Sequence, residues 1–270
     1  MINKDQRLKL LNHYDKKEDK MFLGSILDKV NKYESENHIV YTNFLDIYQK
    51  QIVESALNKL NIKYYTLSTI EDFSRFVIFL IPEYMTHDKS VSNIINNYIS
   101  VIKITPKTKG KITHRDYMGT IYSLGLKEDM IGDIFVNNDL CYFFTFKTNE
   151  EYFLNNLSKV ARSDISTEVL DVYSDEVMSI KQNFKKLDVT VPSLRVDVVL
   201  SEVYNLSRSE TKNKINNGDL FVNSKEMFFV AYEVKENDIV SFRKCGKLKV
   251  GIVERITKSG KIVLNIQKYS

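Results

Sequence analysis

The stretch from Ser207 to Asn223 restricts the fold more than any other part of the chain. Ser207-Arg208-Ser209-Glu210 has the S-x-x-E pattern of a capping box, in which the Ser and Glu side chains each take up an unpaired amide of a first helical turn. Asn217-Gly218 supplies a stop, because Gly enters the left-handed region past a helix end without a steric penalty. Residues 220–223 follow at once as a short strand. Upstream, Ser193 is placed to cap a preceding helix whose buried stripe is Val196, Val199, Leu200 and Val203, and Asn205-Leu206 is the tight turn between the two helices. Downstream, residues 240–243 read as another strand, entered through the polar turn Glu236-Asn237-Asp238. Two short helices on a small sheet therefore form a C-terminal domain over 192–270.

On the second of these helices Arg208 and Lys212 lie four apart and share a face, while Thr211 and Ile215 turn toward the core. A cationic ridge beside a helix N-terminus suits phosphate oxygens, since free amides and the helix dipole add to the side-chain charge. Ordinary solvated helices carry the same spacing, so the distribution of charge has to decide. Residues 190–270 hold 14 Lys+Arg against 9 Asp+Glu, and the remaining 189 residues hold 25 against 26. All of the chain's positive excess sits in its last third, the asymmetry expected where that third meets a polyanion. In the tail, Arg243, Lys244, Lys247, Lys249, Arg255, Lys258 and Lys261 are opposed by Glu254 alone, and Lys258-Ser259-Gly260-Lys261 reads as a hairpin turn bearing two cations. The candidate phosphate grip is Arg208, Lys212 and Lys214, with Arg195, Ser207, Asn223 and Lys225 beside it and Arg243, Lys244, Lys247, Lys258 and Lys261 in the tail. Six to eight neutralised phosphates would make affinity fall roughly 10³-fold or more between low and moderate salt.

The first 62 residues read as a helical domain. Asp15-x-x-Glu18 can cap a helix with Phe22, Ile26, Val30 and Tyr33 on one face. Asp46-x-x-Gln49 can cap a second with Leu45, Tyr48, Ile52, Ala56 and Leu60 as its stripe, stopped at Asn61. Residues 63–175 alternate between element types: strands over 76–82 and 98–105, a helix over 113–124, a strand over 131–136, a turn at Asn137-Asn138-Asp139, a strand over 141–146, a helix over 150–160 and a strand over 165–172. From Tyr98 onward the order is β-α-β-β-α-β, a ferredoxin-like (RRM-like) arrangement. Tyr142, Phe144 and Phe146 share one face of their strand and serve either as a base-stacking platform or as core. Residues 176–191, polar and carrying Lys181, Lys185 and Lys186, read as the connection to the C-terminal domain. The fold class is α+β.

The same reading excludes several classes. The longest apolar run, 76–82, is too short to span a bilayer, and the charged N-terminus lacks a secretory pattern, so a cytoplasmic, monomeric protein away from membranes is expected. Cys141 and Cys245 form no CxxC, and the four His residues have no HExxH or Cys partners, so neither metal nor cofactor is expected. His114-Arg115-Asp116 resembles the kinase catalytic loop but lacks its L-x-x-x-N continuation and any Gly-rich phosphate loop. Thr113-x-x-Asp116 is the better reading, a helix cap, with His114 and Arg115 as a secondary RNA-facing candidate. Carboxylate pairs such as Glu71-Asp72 and Glu128-Asp129 are turn and helix-start residues, and no catalytic residue is assigned.

Residues 194–225, LRVDVVLSEVYNLSRSETKNKINNGDLFVNSK, resemble the ribosomal-protein-S-four-type (α-L) RNA-binding domain. The matching positions are Arg195, Asp197, Leu200, Ser207, Arg208, Gly218, Val222 and Asn223; Ser224 stands where that pattern has Gly, and Asp219 adds a negative charge. Three further stretches, NFLDIYQKQIVESAL, HRDYMGTIYSLGLKEDMIGDIFVNND and FRKCGKLKVGIVERITKSGKI, extend the resemblance to the YlmH family of bacterial proteins over nearly the whole chain. That resemblance implies a helical N-terminal part, an RNA-binding middle domain and an α-L domain. It implies association with rRNA of the large ribosomal subunit, above all stalled subunits retaining peptidyl-tRNA in ribosome-associated quality control, without chemistry of the chain's own. Two competing classes remain. α-L domains also accompany pseudouridine synthases and RNA methyltransferases, whose catalytic Asp motif or Gly-rich cofactor loop is not seen here. A protein-interaction adaptor that uses its middle sheet is the other.

Overall fold

The computed structural model describes residues 2–67, 73–88, 90–108, 112–137, 139–180 and 184–269. Glu71, Asp72, Asn138 and Lys181, read from the sequence as turn or linker residues, lie outside them. The chain divides into two compact units, Met1–Gln182 and Asn183–Ser270.

The first unit begins with three helices, α1 (Lys4–Leu11), α2 (Lys17–Glu36) and α3 (Ile47–Lys59). α1, not expected from the apolar pattern, is held by a local capping box between Asn3 and Gln6. The Asp15 cap does not form. α2 starts at Lys17 after an uncapped Lys16, with Glu18 and Asp19 in its first turn to answer the helix dipole. The Asp19 carboxylate also accepts from the Tyr48 hydroxyl on α3 at 2.6 Å, tying the two helices together. The expected face holds: Ile26 and Val30 are buried, and Phe22 and Tyr33 pack against the same core. On α3 the Asp46–Gln49 box forms in full, and Asn61 is left-handed at φ 54°.

Around these helices lie β1 (Val40–Tyr41), β2 (Tyr65–Thr66) and β3 (Ile78–Leu80), paired antiparallel in the order β1-β3-β2. The strand expected over 76–82 is confined to three residues, with Phe76 forming a separate bridge to Leu45. After α4 (Glu83–Asp88) and α5 (Val91–Ile95) come β4 (Ile99–Pro106), α6 (His114–Ser123), β5 (Ile131–Asn137), β6 (Leu140–Phe146), α7 (Glu150–Asn156), β7 (Lys159–Val160), β8 (Ser163–Leu170) and α8 (Asp175–Met178). Strands β4 to β8 make one antiparallel sheet in the order β5-β6-β4-β8-β7. The helix expected over 150–160 ends at Asn156, because Leu157 turns extended to bury its side chain and Lys159–Val160 pairs as a strand.

Both faces of this sheet are covered. One carries Ile102, Ile104 and Phe143 into a core with Tyr117 and Ile121 of α6 and Phe153 of α7. The other carries Val101, Tyr142, Phe144 and Phe146 into a core with Phe44, Leu67, Phe73 and Phe79. Phe73 meets Phe144, and Phe44 meets Phe146, each with ring centroids 4.9 Å apart. Of the two readings of Tyr142, Phe144 and Phe146, the stacking platform is therefore corrected: all three are buried, and no base can reach them. Burial also pushes the Cys141 thiol well up.

A polar clamp ties α8 to the sheet. Lys103 pairs with Glu176 at 2.7 Å, and the Tyr142 hydroxyl donates to the same carboxylate at 2.8 Å. These bonds lower the Glu176 pKa below its ordinary 4.5 and raise that of Lys103 above 10.5. A depressed carboxylate stabilises the fold above its unfolded pKa and ceases to as pH falls through the folded value. A raised lysine does so below its unfolded pKa and ceases as pH rises through the folded value. The clamp therefore acts across the neutral range. Wild type and Glu176→Gln are expected to differ most in melting temperature near pH 7 and to converge as pH drops below 4.5, which a pH series of thermal melts followed by circular dichroism reads directly.

The second unit contains β9 (Phe184–Val191), α9 (Val196–Tyr204), α10 (Arg208–Asn216), β10 (Leu220–Val222), β11 (Lys225–Glu226), β12 (Ile239–Phe242), β13 (Gly246–Ile256) and β14 (Ile262–Tyr269). Its sheet runs β11-β10-β12-β13-β14-β9, antiparallel throughout. Of the stretch 176–191 read as a connection, Val177 and Ile180 are buried in the first unit and 184–191 is a full strand paired with β14. Ser193 does not cap α9. Arg195 takes that position without a side-chain cap, and the orphan amide of Val196 is met by the Tyr232 carbonyl at 2.7 Å. Val196, Val199, Leu200 and Ile215 of the two helices close over Leu220, Val240, Leu248 and Ile266 of the sheet. Among the described residues no helix is long and apolar enough to cross a membrane.

Candidate nucleic-acid interface

The hydroxyl of Ser207 accepts from the Glu210 amide at 3.2 Å and fixes the start of α10; the reciprocal half of the expected box is replaced by a contact between the Ser207 and Ser209 hydroxyls at 3.1 Å. Gly218 is left-handed at φ 80° and stops the helix where expected. Thr211 and Ile215 are fully buried, and the Thr211 hydroxyl donates to the Ser207 carbonyl and accepts from Ser201 at 3.0 Å. With that face spent on α9 and the core, Arg208 and Lys212 stand exposed one turn apart on the other. Among the described residues neither is in an ion pair, so both guanidinium and ammonium are available to phosphate.

The remaining predicted residues divide by what they already hold. Lys214 is turned off the ridge, pairing with Asp219 at 3.1 Å and lying 5.3 Å above the Phe242 ring. Arg195 forms a two-pronged pair with Asp197 at 3.0 and 3.2 Å, and Asp197 is only 1% exposed, so the guanidinium neutralises a buried carboxylate. The Asn223 side chain is occupied on both atoms, donating to Asp238 at 2.9 Å and accepting from the Ile239 amide at 2.8 Å. Lys225 is exposed on β11. Arg243 and Lys244 are exposed at the β12–β13 turn beside the end of α10, where the Arg243 amide donates to the Asp219 carbonyl at 2.9 Å. Lys247 lies on β13 with its ammonium 4.7 Å from the Tyr269 ring. Lys258 and Lys261 are exposed at the β13–β14 hairpin, roughly 30 Å along β13 from Arg243, and form a separate patch. In the first unit, His114 is fixed by its Nε2 donating to the Ile134 carbonyl at 3.1 Å, while Arg115 is exposed.

Two aromatics escaped the sequence reading. Phe228 and Phe229 are 53% and 64% exposed, and the Phe228 ring lies against Gly218 at the end of α10. Their signal was a Phe-Phe pair in a segment with neither strand nor helix period.

The β10–β11 turn carries the departure noted at Ser224. Asn223 and Ser224 have φ of 50° and 65°, the conformation of a two-residue hairpin that favours Gly at its second position. Ser224→Gly is expected to stabilise the second unit by about 1 kcal/mol, because it removes a left-handed Cβ, and urea unfolding would show the midpoint rising with an unchanged slope.

Residues 96–174, β4 to the end of β8 and its flanks, match the family model described as “Putative RNA-binding domain in YlmH”. Over these residues the chain is similar to YlmH proteins. It is 22% identical over 247 residues, 91% of this chain and 93% of the relative, to the “Ribosome-associated protein quality control protein P2” of Bacillus subtilis (strain 168). The solved structure of “Cell division protein ylmH from Streptococcus pneumoniae” is similar over 59% of this chain and 94% of that one, at 21% identity and a TM-score of 0.47.

Proposed function

We propose that this YlmH-like chain is a non-enzymatic RNA-binding protein that acts on the large ribosomal subunit in ribosome-associated quality control, touching rRNA and peptidyl-tRNA. The observation that carries the reading is the exposed Arg208–Lys212 ridge on α10, in the part of the chain that holds all its positive excess. The name of the Bacillus subtilis relative and the description of the family model support the ribosomal setting and the RNA. In this reading the second unit is an α-L domain that grips phosphates through Arg208 and Lys212, with Lys225 and Lys244 extending the grip, Arg243 turned over the Phe221 ring, and Lys258 and Lys261 meeting a second stretch of backbone. Ser207 and Asn223 shape the scaffold, as do the internal pairs of Arg195 and Lys214. The first unit joins a helical part to a ferredoxin-like sheet in the strand order β5-β6-β4-β8, with Arg115 as its RNA-facing residue. The protein works as a monomer in the cytoplasm, with no metal or cofactor.

Sedimentation of the full chain with purified large subunits, followed by crosslinking, tests this. Co-sedimentation at low salt that fades steeply as salt rises is the expected result. A chain that stays at the top of the gradient at every salt concentration removes the reading. Mapping modified bases in rRNA after incubation separates the enzyme class, for which a new modification would be required.

A further inference from the structure

The second unit has a further surface on the side of its sheet that α9 and α10 do not cover. Leu248, Val250, Leu264 and Ile266 turn inward to the helices, so strand alternation sends their neighbours Lys247, Lys249 and Gln267 to the opposite face. Pairing then lines up one row straight across the sheet. Phe221 on β10 is opposite Ser241 on β12, Ser241 is opposite Lys247 on β13, and Tyr269 on β14 is opposite Phe184 on β9. The Lys247 ammonium closes the one gap, 4.7 Å from the Tyr269 ring. Arg243 lies 4.9 Å over the Phe221 ring at one end, and Phe184 meets Tyr269 edge-to-face at 4.9 Å at the other. A second row runs beside it, Ile239, Lys249, Gln267 and Lys186.

We infer that this open sheet face, built on Phe221, Arg243, Lys247, Tyr269 and Phe184, is a second RNA site that takes an unpaired segment. The inference rests on the RNA-binding reading proposed above. Charge and ring chemistry choose the occupant together. Arg243, Lys247, Lys249 and Lys186 outnumber the two acidic residues on the face, Glu226 and Asp188. Aromatic rings stack on base faces, which a single strand offers and a duplex hides. The row from Phe221 to Phe184 spans four strand gaps, about 19 Å, enough for a few nucleotides. The α10 ridge has no ring of its own and suits paired backbone; the sheet face interleaves rings with cations and suits splayed bases. The two lie on opposite sides of one small unit, so a single RNA that passes from helix to loop can occupy both.

Fluorescence anisotropy with the full chain separates them, using a labelled twelve-nucleotide oligouridine and a labelled blunt RNA duplex. Phe221→Ala with Tyr269→Ala is expected to weaken oligouridine binding at least tenfold, on the order of one lost stacking contact, and to leave the duplex within about twofold. Lys247→Glu with Lys249→Glu, which keeps both rings and the sheet packing, is expected to do the same and covers the case in which the ring variant fails to fold. Arg208→Glu with Lys212→Glu is expected to show the reverse preference. If the sheet variants leave oligouridine binding unchanged, or weaken both probes equally, the second site is overturned. A wild type that holds the duplex but not oligouridine overturns the sheet site and leaves the helix reading standing. A wild type that holds neither overturns both.

Discussion

Reversing both charges of the ridge, Arg208→Glu with Lys212→Glu, is expected to lower affinity for large-subunit rRNA on the order of 100-fold at physiological salt and to reduce the slope of log affinity against log salt by about two. The first effect is the loss of two phosphate contacts together with the repulsion that replaces them. The second follows because each contact releases roughly one counterion, so the slope counts contacts and discriminates this explanation from a general loss of folded protein. The fold is insulated from the change. Thr211 and Ile215, which hold α10 to the core, point the other way and are fully buried, and Ser207 still caps the first turn. A Glu at position 208 sits at the positive end of the helix dipole and favours the helix; the like-charge pair it forms with Glu at 212 costs only a few tenths of a kcal/mol. Binding isotherms at four or more salt concentrations, with circular dichroism melts on the same preparations, read all three quantities. Unchanged affinity would remove Arg208 and Lys212 from the interface.

What the sequence revealed in advance was local chemistry. The Asp46 box, the Ser207 cap, the Gly218 stop and the turn at Gly260 each depend on residues within four positions of one another, and each is where it was expected. The local pattern did not hold at Asp15: α2 starts at Lys17 after an uncapped Lys16, and its first-turn Asp19 accepts from Tyr48, 29 residues away, a contact no local pattern shows. Distance in sequence also hid the covering of Phe144. Strands β1, β2 and β3 have two or three residues each, too few for a periodic signal, yet with Phe44 and Phe73 they bury a face whose alternation alone could equally have been open. The candidate site divides along the same line. Arg208 and Lys212 were legible because helix geometry sets their face, whereas the commitment of Lys214 to Asp219 depends on how the chain turns after Gly218. The row on the open sheet draws on strands from residue 184 to residue 269, and only register assembles it.

A single methyl group at Gly132 is expected to cost the first unit about 3 kcal/mol. Gly132 lies on β5 where the pairing with β6 shifts register between Ile131 and Ile134, and it fills the join between the central sheet and the N-terminal part. A Cβ there would stand 2.6 Å from Cε1 of Phe44 and 2.7 Å from Cβ of Phe144, far inside van der Waals contact. Neither neighbour can withdraw cheaply. Phe44 and Phe144 are both fully buried, Phe144 is carried on a central strand, and the backbone at Phe44 is pinned by its amide donating to the Asp129 carbonyl at 2.9 Å while Asn43 donates to the Asp129 carboxylate at 2.8 Å. Relief must come from displacing the Phe44 ring or the β5 backbone, and overpacking of this kind costs 1–3 kcal/mol and occasionally more; two backbone-anchored neighbours place Gly132→Ala at the upper end. The chain has no Trp, so urea unfolding is followed by circular dichroism and Tyr fluorescence. Gly119→Ala on α6, whose added methyl meets nothing within 4 Å, is the matched control and should hold or raise the midpoint through helix propensity. If Gly132→Ala unfolds at the wild-type midpoint, Phe44 is not seated against β5, and the packing that occludes Phe144 is not the one described.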